Sequence, residues 1–374
     1  MSSERSTVAP ESVDELVVAL RDTEARGAKV GIVGAGSKAT WGGVPQPVDV
    51  VLKTAALTGV VEYAPGDLVV TVRAGTPLEQ LQRELAPNNQ WLALDPPQMH
   101  TTIGGLLGTA TSGPHRLRYG TPRDQLIGIH VALADGTLAK SGGKVVKNVA
   151  GYDLGKLFTG SYGTLGVIVS ATFKLQPLPP ARRFVTVRTT APGEAWTALT
   201  TISAAPSAVE WCADELRVLV EAAPSAVDAI AASVADVLGT SEVSEQTPLS
   251  FGAQPWEPHQ VAIKLTHRLS GTDGVLIAAT RILRGAQTSV QVGSGVIWIG
   301  WEPGTADEVA AALDELRAVA ASYDGTAVIV DAPEDIKRTV DVWGPVHGLA
   351  LMHRIKDQFD PDHRLNPGRF VDGI

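Results

Sequence analysis

The sequence predicts an α+β protein in two parts with a short tail, and three observations carry that prediction. Residues 11–175 alternate short apolar strands with amphipathic helices. A proline cluster, Gln176-Pro177-Leu178-Pro179-Pro180, then breaks the chain where no regular element can continue. Beyond it the texture changes to apolar strands interleaved with Ala-rich helices. The expected boundaries are residues 1–180 for a first domain of two α/β subdomains, 181–344 for a smaller α+β domain, and 345–374 for the tail.

The elements follow in order. Residues 11–27 place Val13, Leu16, Val17 and Leu20 on one helical face, and Gly27 is a good stop. A strand at 29–33 leads into a glycine-rich loop at 34–43, with further strands at 48–52, 59–63 and 68–73. Thr76-Pro77 predicts a helix over 76–85, with Thr76 as N-cap and Pro77 at the first helical position. Residues 94–120, rich in Gly, Thr and Pro, are too long for an idle loop. A hairpin is expected over 125–139 around Asp135-Gly136, then a short helix at 153–159 and a strand at 164–175. In the second part, strands are expected at 183–189, 208–212 and 216–221, and helices at 193–204, 225–238 and 306–322. Residues 243–259 read as irregular, and the tail as a helix followed by turns.

Composition narrows the function classes. The chain has 374 residues, 44% hydrophobic and 19% charged, which allows a sizeable core. Its 31 Lys+Arg against 40 Asp+Glu give −9, without the basic footprint of a nucleic-acid binder. The one cysteine, Cys212, permits no intramolecular disulfide, no cysteine-held iron–sulfur cluster and no four-cysteine zinc site. It reads as a small core residue beside Trp211 in a cytoplasmic protein. Met1–Pro10 is polar, unlike a signal peptide, and no run of ~18 apolar residues occurs. Any membrane association is therefore expected through a partner.

The loop VGIVGAGSKATWGG contains Gly34-Ala35-Gly36-Ser37-Lys38-Ala39, which fits the G-x-G-x-x-G/A dinucleotide fingerprint after a strand. That fingerprint should open a helix, whereas Trp41-Gly42-Gly43-Val44-Pro45 opposes one, and Asp49 comes too early for the ribose acid. The favoured alternative is a nest, in which glycines let successive backbone N–H groups face an anion such as a pyrophosphate. A tight turn without ligand is the bland reading. Two later stretches bear on the choice. Residues 95–120 (DPPQMHTTIGGLLGTATSGPHRLRYG) combine small residues, which allow a flat ring system to approach, with hydroxyls that can hydrogen-bond it. Residues 148–168 (NVAGYDLGKLFTGSYGTLGVI) concentrate Gly160, Gly163 and Gly166 before a strand, a mark of close backbone approach. Either stretch alone could be a glycine-rich packing corner.

Taken in order, the Gly-rich loop, DPP…TTIGG…TSG…RYG, VKNVAGYDLGKLFTGSYGTLGVI and the terminal DPDHRLNPG resemble the vanillyl-alcohol-oxidase/PCMH flavoproteins. That family includes glycolate oxidase and D-lactate dehydrogenase subunits, and the FAD-binding E subunit type is the nearest in pattern. The resemblance covers residues 10–180 and 345–370. It implies a PCMH-type FAD-binding domain, an α+β cap for 181–344, and a tail that returns to the FAD domain. It places FAD pyrophosphate on Val33, Gly34, Ala35, Gly36, Ser37 and Lys38. It sets Pro96, Pro97, Thr102, Gly104, Gly105, Thr109, Ala110, Ser112 and Gly113 along the cofactor. It puts the Ile168 backbone beside the adenine and Asn366 at the flavin. Several relatives carry a flavin-linked histidine where this chain has Ser37, and only Cys212 could form a cysteinyl link, so the expected FAD is non-covalent. The resemblance also implies a small 2-hydroxy acid as substrate, with a larger flavoprotein subunit and an iron–sulfur subunit as partners. A free-standing enzyme acting on D-lactate or an alditol, and a non-catalytic flavoprotein, remain alternatives.

Oxidising a 2-hydroxy acid needs a base for the hydroxyl proton, a cation for the carboxylate and the flavin as hydride acceptor. Candidate bases are His259, His267, His347 and His353; candidate carboxylate clamps are Arg268, Arg338 and Arg354. His267-Arg268 attracts most interest because it follows the strand-like VAIKL. The sequence assigns no catalytic residue among these, and it lacks the histidine cluster by which relatives bind a metal.

Overall fold

The computed structural model describes residues 5–98, 100–143 and 153–374. It contains two compact units: Met1–Ser112, Gly120–Leu178 and Pro345–Ile374 form the first, Gly113–Tyr119 and Pro179–Gly344 the second. The chain thus leaves the first unit inside the proline cluster. The short insert Gly113–Tyr119 belongs to the second unit although its neighbours in sequence belong to the first.

Among the described residues the first unit holds two main sheets, beside a two-residue antiparallel pairing of Gln90–Trp91 with Gln176–Pro177. In the smaller, strands Ser6–Val8, Val50–Lys53 and Val30–Val33 run parallel, with Val50–Lys53 in the middle. In the larger, five antiparallel strands lie in the order Val60–Ala64, Val69–Arg73, Val167–Lys174, Leu126–Ala132, Leu138–Gly142. Helix Val13–Ala25 starts where the Ser12 hydroxyl accepts the Glu15 N–H and ends at Gly27, whose φ of +60° suits glycine. Its Leu16 and Leu20 pack with Val30, Leu52, Val167 and Leu365. A second core joins Leu81 and Leu85 of helix Leu78–Leu85, Leu106 and Leu107 of helix Ile103–Thr109, and Phe158 to the large sheet.

Two local expectations need correction. Helix Leu78–Leu85 begins one residue later than Thr76-Pro77 implied: Pro77 is the N-cap, in extended geometry. The Thr76 hydroxyl caps nothing; it accepts the Gly59 N–H at 2.9 Å. Residues 94–120 also hide a helix, Ile103–Thr109, which the glycines in IGGLLG disguise.

The second unit is one antiparallel sheet of eight strands. Their order is Glu242–Ser244, Ala181–Arg188, Glu215–Ala222, Ala208–Cys212, Gln287–Gln291, Val296–Trp301, Val261–Thr266, Ala327–Asp331. Helices Pro192–Leu199, Val227–Leu238, Thr272–Ile282 and Ala306–Ser322 bury Leu199, Val234, Val275, Leu313 and their neighbours against one face. The irregular 243–259 stretch covers part of the other face, where Phe251 stacks edge-on against Phe184 with ring centroids 5.1 Å apart. Among the described residues no helix is long and apolar enough to cross a membrane.

Candidate cofactor cleft

Four segments of the first unit meet around one cleft that is open to solvent. They are the loop after strand Val30–Val33, helix Ile103–Thr109 with its cap, the turn at Tyr162–Gly163 with the start of strand Val167–Lys174, and Asn366 and Arg369 of the tail.

The loop is a nest. Gly36 has φ +84°, the Ala39 N–H bonds back to Gly36 O and the Trp41 N–H to Lys38 O. Among the described residues the N–H groups of Ala35, Gly36, Ser37 and Lys38 meet no protein acceptor. The chain then runs to strand Val50–Lys53 without a helix, so the dinucleotide fingerprint is a decoy. Gly43 lets the loop close on the tail, since a Cβ there would lie 2.5 Å from Gly368 O. Arg369 crosses the same gap, donating to Lys38 O and Trp41 O at 2.8 and 3.1 Å.

Lys38 supplies charge. Its side chain is buried, Nζ donates to Thr101 Oγ1 at 2.7 Å, and it sits 5.8 Å from the Trp41 ring centroid. Among the described residues no carboxylate pairs with it. Burial lowers its pKa from 10.5 to about 8. A buried ammonium facing a row of open N–H groups is an arrangement that an anion completes.

The glycines of the opposite wall divide by what a side chain would meet. At Gly34 a Cβ would lie 2.5 Å from Thr102 Oγ1, and at Gly104 3.0 Å from Ala74 Cβ, so both serve the packing of loop, helix and strand. Thr102 caps the helix, accepting the Gly105 N–H at 3.2 Å. Gly108 differs: it is buried and lines the cleft, yet a Cβ there would meet nothing within 4 Å. Ile168 lies at a bulge. Val131 pairs with Ile168 and His130 with Ser170, so Val169 is the extra residue. On its other side the strand pairs only as far as Arg73↔Ser170, which leaves the edge at Val167 and Ile168 turned to the cleft.

Asn366 ties the rim together. Its Oδ1 accepts the Ile32 N–H and its Nδ2 donates to Tyr162 O, each at 2.7 Å, with φ +42°. Its amide is thus engaged by backbone on both ends. Nearby, buried Lys356 donates to Asp360 Oδ2 at 2.6 Å and to Thr164 O at 2.7 Å, and Asp360 also accepts the Leu365 N–H. Arg364 donates to Ala28 O and Ala134 O. DPDHRLNPG is therefore the clasp that fastens the tail to the first unit.

Of the residues expected along a cofactor, Val33, Gly34, Ala35, Gly36, Ser37, Lys38, Thr102, Gly104, Gly105, Thr109, Ile168 and Asn366 line this cleft; Pro96, Pro97, Ala110, Ser112 and Gly113 do not. Ala110 turns into the left-handed region to end the helix, which carries the chain away, and Gly113 opens the insert of the second unit. Sequence reasoning missed Thr54, Gly108, Tyr162 and Arg369. Of these, only Gly108 carried a signal, as the last glycine of IGGLLG. The expectation for Asn148–Tyr152 of the third motif lies outside the described residues. None of the candidate bases or clamps lines the cleft. His267 is buried, with Nδ1 3.0 Å from Arg268 O and a pKa lowered by burial. Arg268 pairs with Asp324, Arg338 with Glu334 and His353 with Asp372. Among the described residues no group of three or more His, Cys, Asp or Glu could hold a metal ion.

Residues 5–142 match the family model described as FAD binding domain. The chain is 41% identical over 125 residues to glycolate oxidase subunit GlcE of Escherichia coli, covering 33% of this chain and 36% of that protein. It is 33% identical over 179 residues to glycolate oxidase subunit GlcD of Bacillus subtilis, 48% and 38% of the two chains. It is 33% identical over 170 residues to D-lactate dehydrogenase of Archaeoglobus fulgidus, 46% and 38%. The matches thus span little more than a third of the length of these relatives. Among solved structures, p-cresol methylhydroxylase with substrate bound superposes with TM-score 0.74 over 97% of this chain and 88% of its own, at 17% identity. Alkyldihydroxyacetonephosphate synthase gives 0.68 over 96% and 76%, at 15%. The fold is of the PCMH type.

Proposed function

We propose that the cleft holds FAD non-covalently and that the chain serves the oxidation of a small 2-hydroxy acid, as a subunit of glycolate oxidase kind; the match of residues 5–142 to the model described as FAD binding domain supports this reading. The observation that carries the FAD reading is the nest of Ala35–Lys38, whose open N–H groups and buried Lys38 lack any protein anion among the described residues. The residues fit the cofactor. The nest and Lys38 would take the pyrophosphate, the unpaired strand edge at Ile168 would face a planar base, and the open side of Gly108 would admit a ring system that any larger residue would displace. Bound FAD would supply the hydride- and electron-accepting chemistry. The described residues lining the cleft include neither histidine nor cysteine, which supports a non-covalent flavin.

The substrate reading rests on the relatives, glycolate oxidase subunits and D-lactate dehydrogenases. Two of them are named as subunits, which favours a multi-subunit assembly; a larger flavoprotein and an iron–sulfur protein are the partners of this proposal. The second reading is a subunit that holds FAD for chemistry completed by a partner; it is favoured by the absence of every candidate base from the cleft lining.

The test is direct. The purified chain should be yellow, and acid or detergent denaturation should release the chromophore; flavin retained on the denatured chain would overturn the non-covalent reading. Anaerobic glycolate or D-lactate should bleach the flavin if the chain is catalytic alone. A flavin that stays oxidised until the partners are added would favour the second reading.

A further inference from the structure

Several cations with buried side chains meet carboxylates in this chain. Lys356 meets Asp360 at 2.6 Å, Lys337 meets Asp331 at 3.6 Å and Arg217 meets Glu215 at 2.6 Å. Lys264 is only partly buried by its accessible surface, and like Lys38 it meets no carboxylate among the described residues. It lies near the middle of strand Val261–Thr266, whose Val261, Ile263 and Leu265 enter the helix-covered core. Strand alternation therefore turns Lys264 to the opposite face, where Phe184, Ala208 and Leu219 also cluster. There it is paired directly with Trp298 on one neighbouring strand and with Val328 on the other. Its Nζ lies 5.6 Å from the Trp298 ring centroid, and among the described residues no carboxylate reaches it. The charge acting on it is the like charge of Arg116, from the insert Gly113–Tyr119 of the same unit. Burial first, and Arg116 second, lower its pKa to about 8. The carboxylate of Glu210, on the same face, is already engaged by the Gly252 N–H, by Ser289 Oγ and by Arg217 at 3.9 Å.

The surroundings hold further open groups. Trp298 is 6% exposed and its Nε1–H has no partner. Gln291, one strand away on the same face, is 3% exposed and its Oε1 has no partner. A buried donor or acceptor left open, beside an ammonium left unpaired, opposes folding. A methionine would fill the Lys264 position without that cost, so the lysine is explained by something that binds to it.

We propose that Lys264 and the Trp298 Nε1–H form a binding site for a small carboxylate on the face of the second unit's sheet away from its helices, with Gln291 Oε1 available to a hydroxyl on the same molecule. That the carboxylate belongs to a 2-hydroxy acid rests on the functional reading above; that the site takes a small carboxylate anion does not.

The experiment uses the full chain and oxalate as the probe, titrated calorimetrically at pH 7, with flavin content measured on the same samples. Wild type should bind oxalate. Lys264→Met should bind it roughly 30-fold more weakly, melt at a higher temperature and keep the wild-type flavin content. Trp298→Phe, which retains the ring, should lose about fivefold; Lys264→Arg should recover part of the loss. Wild-type affinity in Lys264→Met, or no oxalate binding by wild type, overturns the proposal. If Lys264→Met fails to fold, unchanged affinity in Trp298→Phe overturns it instead. Calorimetry needs no flavin, so a chain that binds oxalate but no FAD would sink the cofactor reading and leave this one standing.

Discussion

Lys38 in the first unit is buried and Lys264 in the second partly buried, and the chain surrounds the two differently. Each is lowered to about 8 by burial, and neither has a carboxylate among the described residues. Around Lys38 the complementary groups are backbone: four successive N–H groups of a glycine loop, next to a wall thinned by glycine. Around Lys264 they are side chains, Trp298 and Gln291, brought together by sheet register. A backbone nest suits a phosphate, which offers several equivalent oxygens; a lysine with one indole N–H suits a smaller anion held at one end.

The sharpest way to break the first half of the comparison is Gly108→Leu. A side chain there meets no protein atom within 4 Å of its Cβ, and the position is helical, so the fold should tolerate it. If a ring system lies against Gly108, FAD affinity should fall about 100-fold or more. Flavin per chain and the far-UV spectrum measure both sides of this. Full flavin occupancy in a folded variant would mean the cofactor does not pass Gly108. A smaller effect is expected from Lys38→Met, because the nest would remain: about tenfold weaker FAD with a higher melting temperature for the flavin-free chain. Unchanged affinity would remove Lys38 from the anion site and leave the N–H groups alone.

This difference also explains what the sequence could reveal. Gly34 to Lys38 were legible because a nest needs glycine at fixed places, and Gly36 takes φ +84°. The LNPG tail was legible as a motif but not as a role: the Asn366 amide holds Ile32 N–H and Tyr162 O, partners more than two hundred residues away. Asn366→Ala should therefore cost about 2–4 kcal/mol of stability by leaving two backbone groups open, visible as a lower urea midpoint. Lys264 was illegible. In VAIKLT it is one polar residue in an apolar run, and attention went to His267-Arg268 beyond it. Nothing in the linear pattern states that Trp298 will stand beside it, since that register depends on the pairing of Val261–Thr266 with Val296–Trp301, a strand that was not predicted. Helix Ile103–Thr109 was missed for a related reason: its glycines, required by close packing at Gly104 and by open space at Gly108, lower the helical signal.

For both lysines, ligand-free stability and anion affinity should respond to pH in opposite directions. In the unfolded chain each titrates near 10.5, and in the folded chain near 8. Between these values the unfolded state binds more protons, so the stability of the ligand-free protein should rise with pH across the window from about 8 to 10.5. Anion binding needs the charged form, so affinity should fall over the same rise, starting near pH 8. The two signs separate a lysine kept for a ligand from one kept for the fold, which would lose stability as it deprotonated. Tyr119, raised to about 12, and Cys212, raised by burial, act in the other direction at alkaline pH, so the comparison must be with variants that share them. Urea unfolding of wild type, Lys38→Met and Lys264→Met at pH 7.5, 8.5 and 9.5 isolates each contribution. Wild type should gain on each variant as pH rises. A constant difference would mean that the lysine titrates alike in the folded and unfolded chains, and the proposed anion site at that position would fall with it.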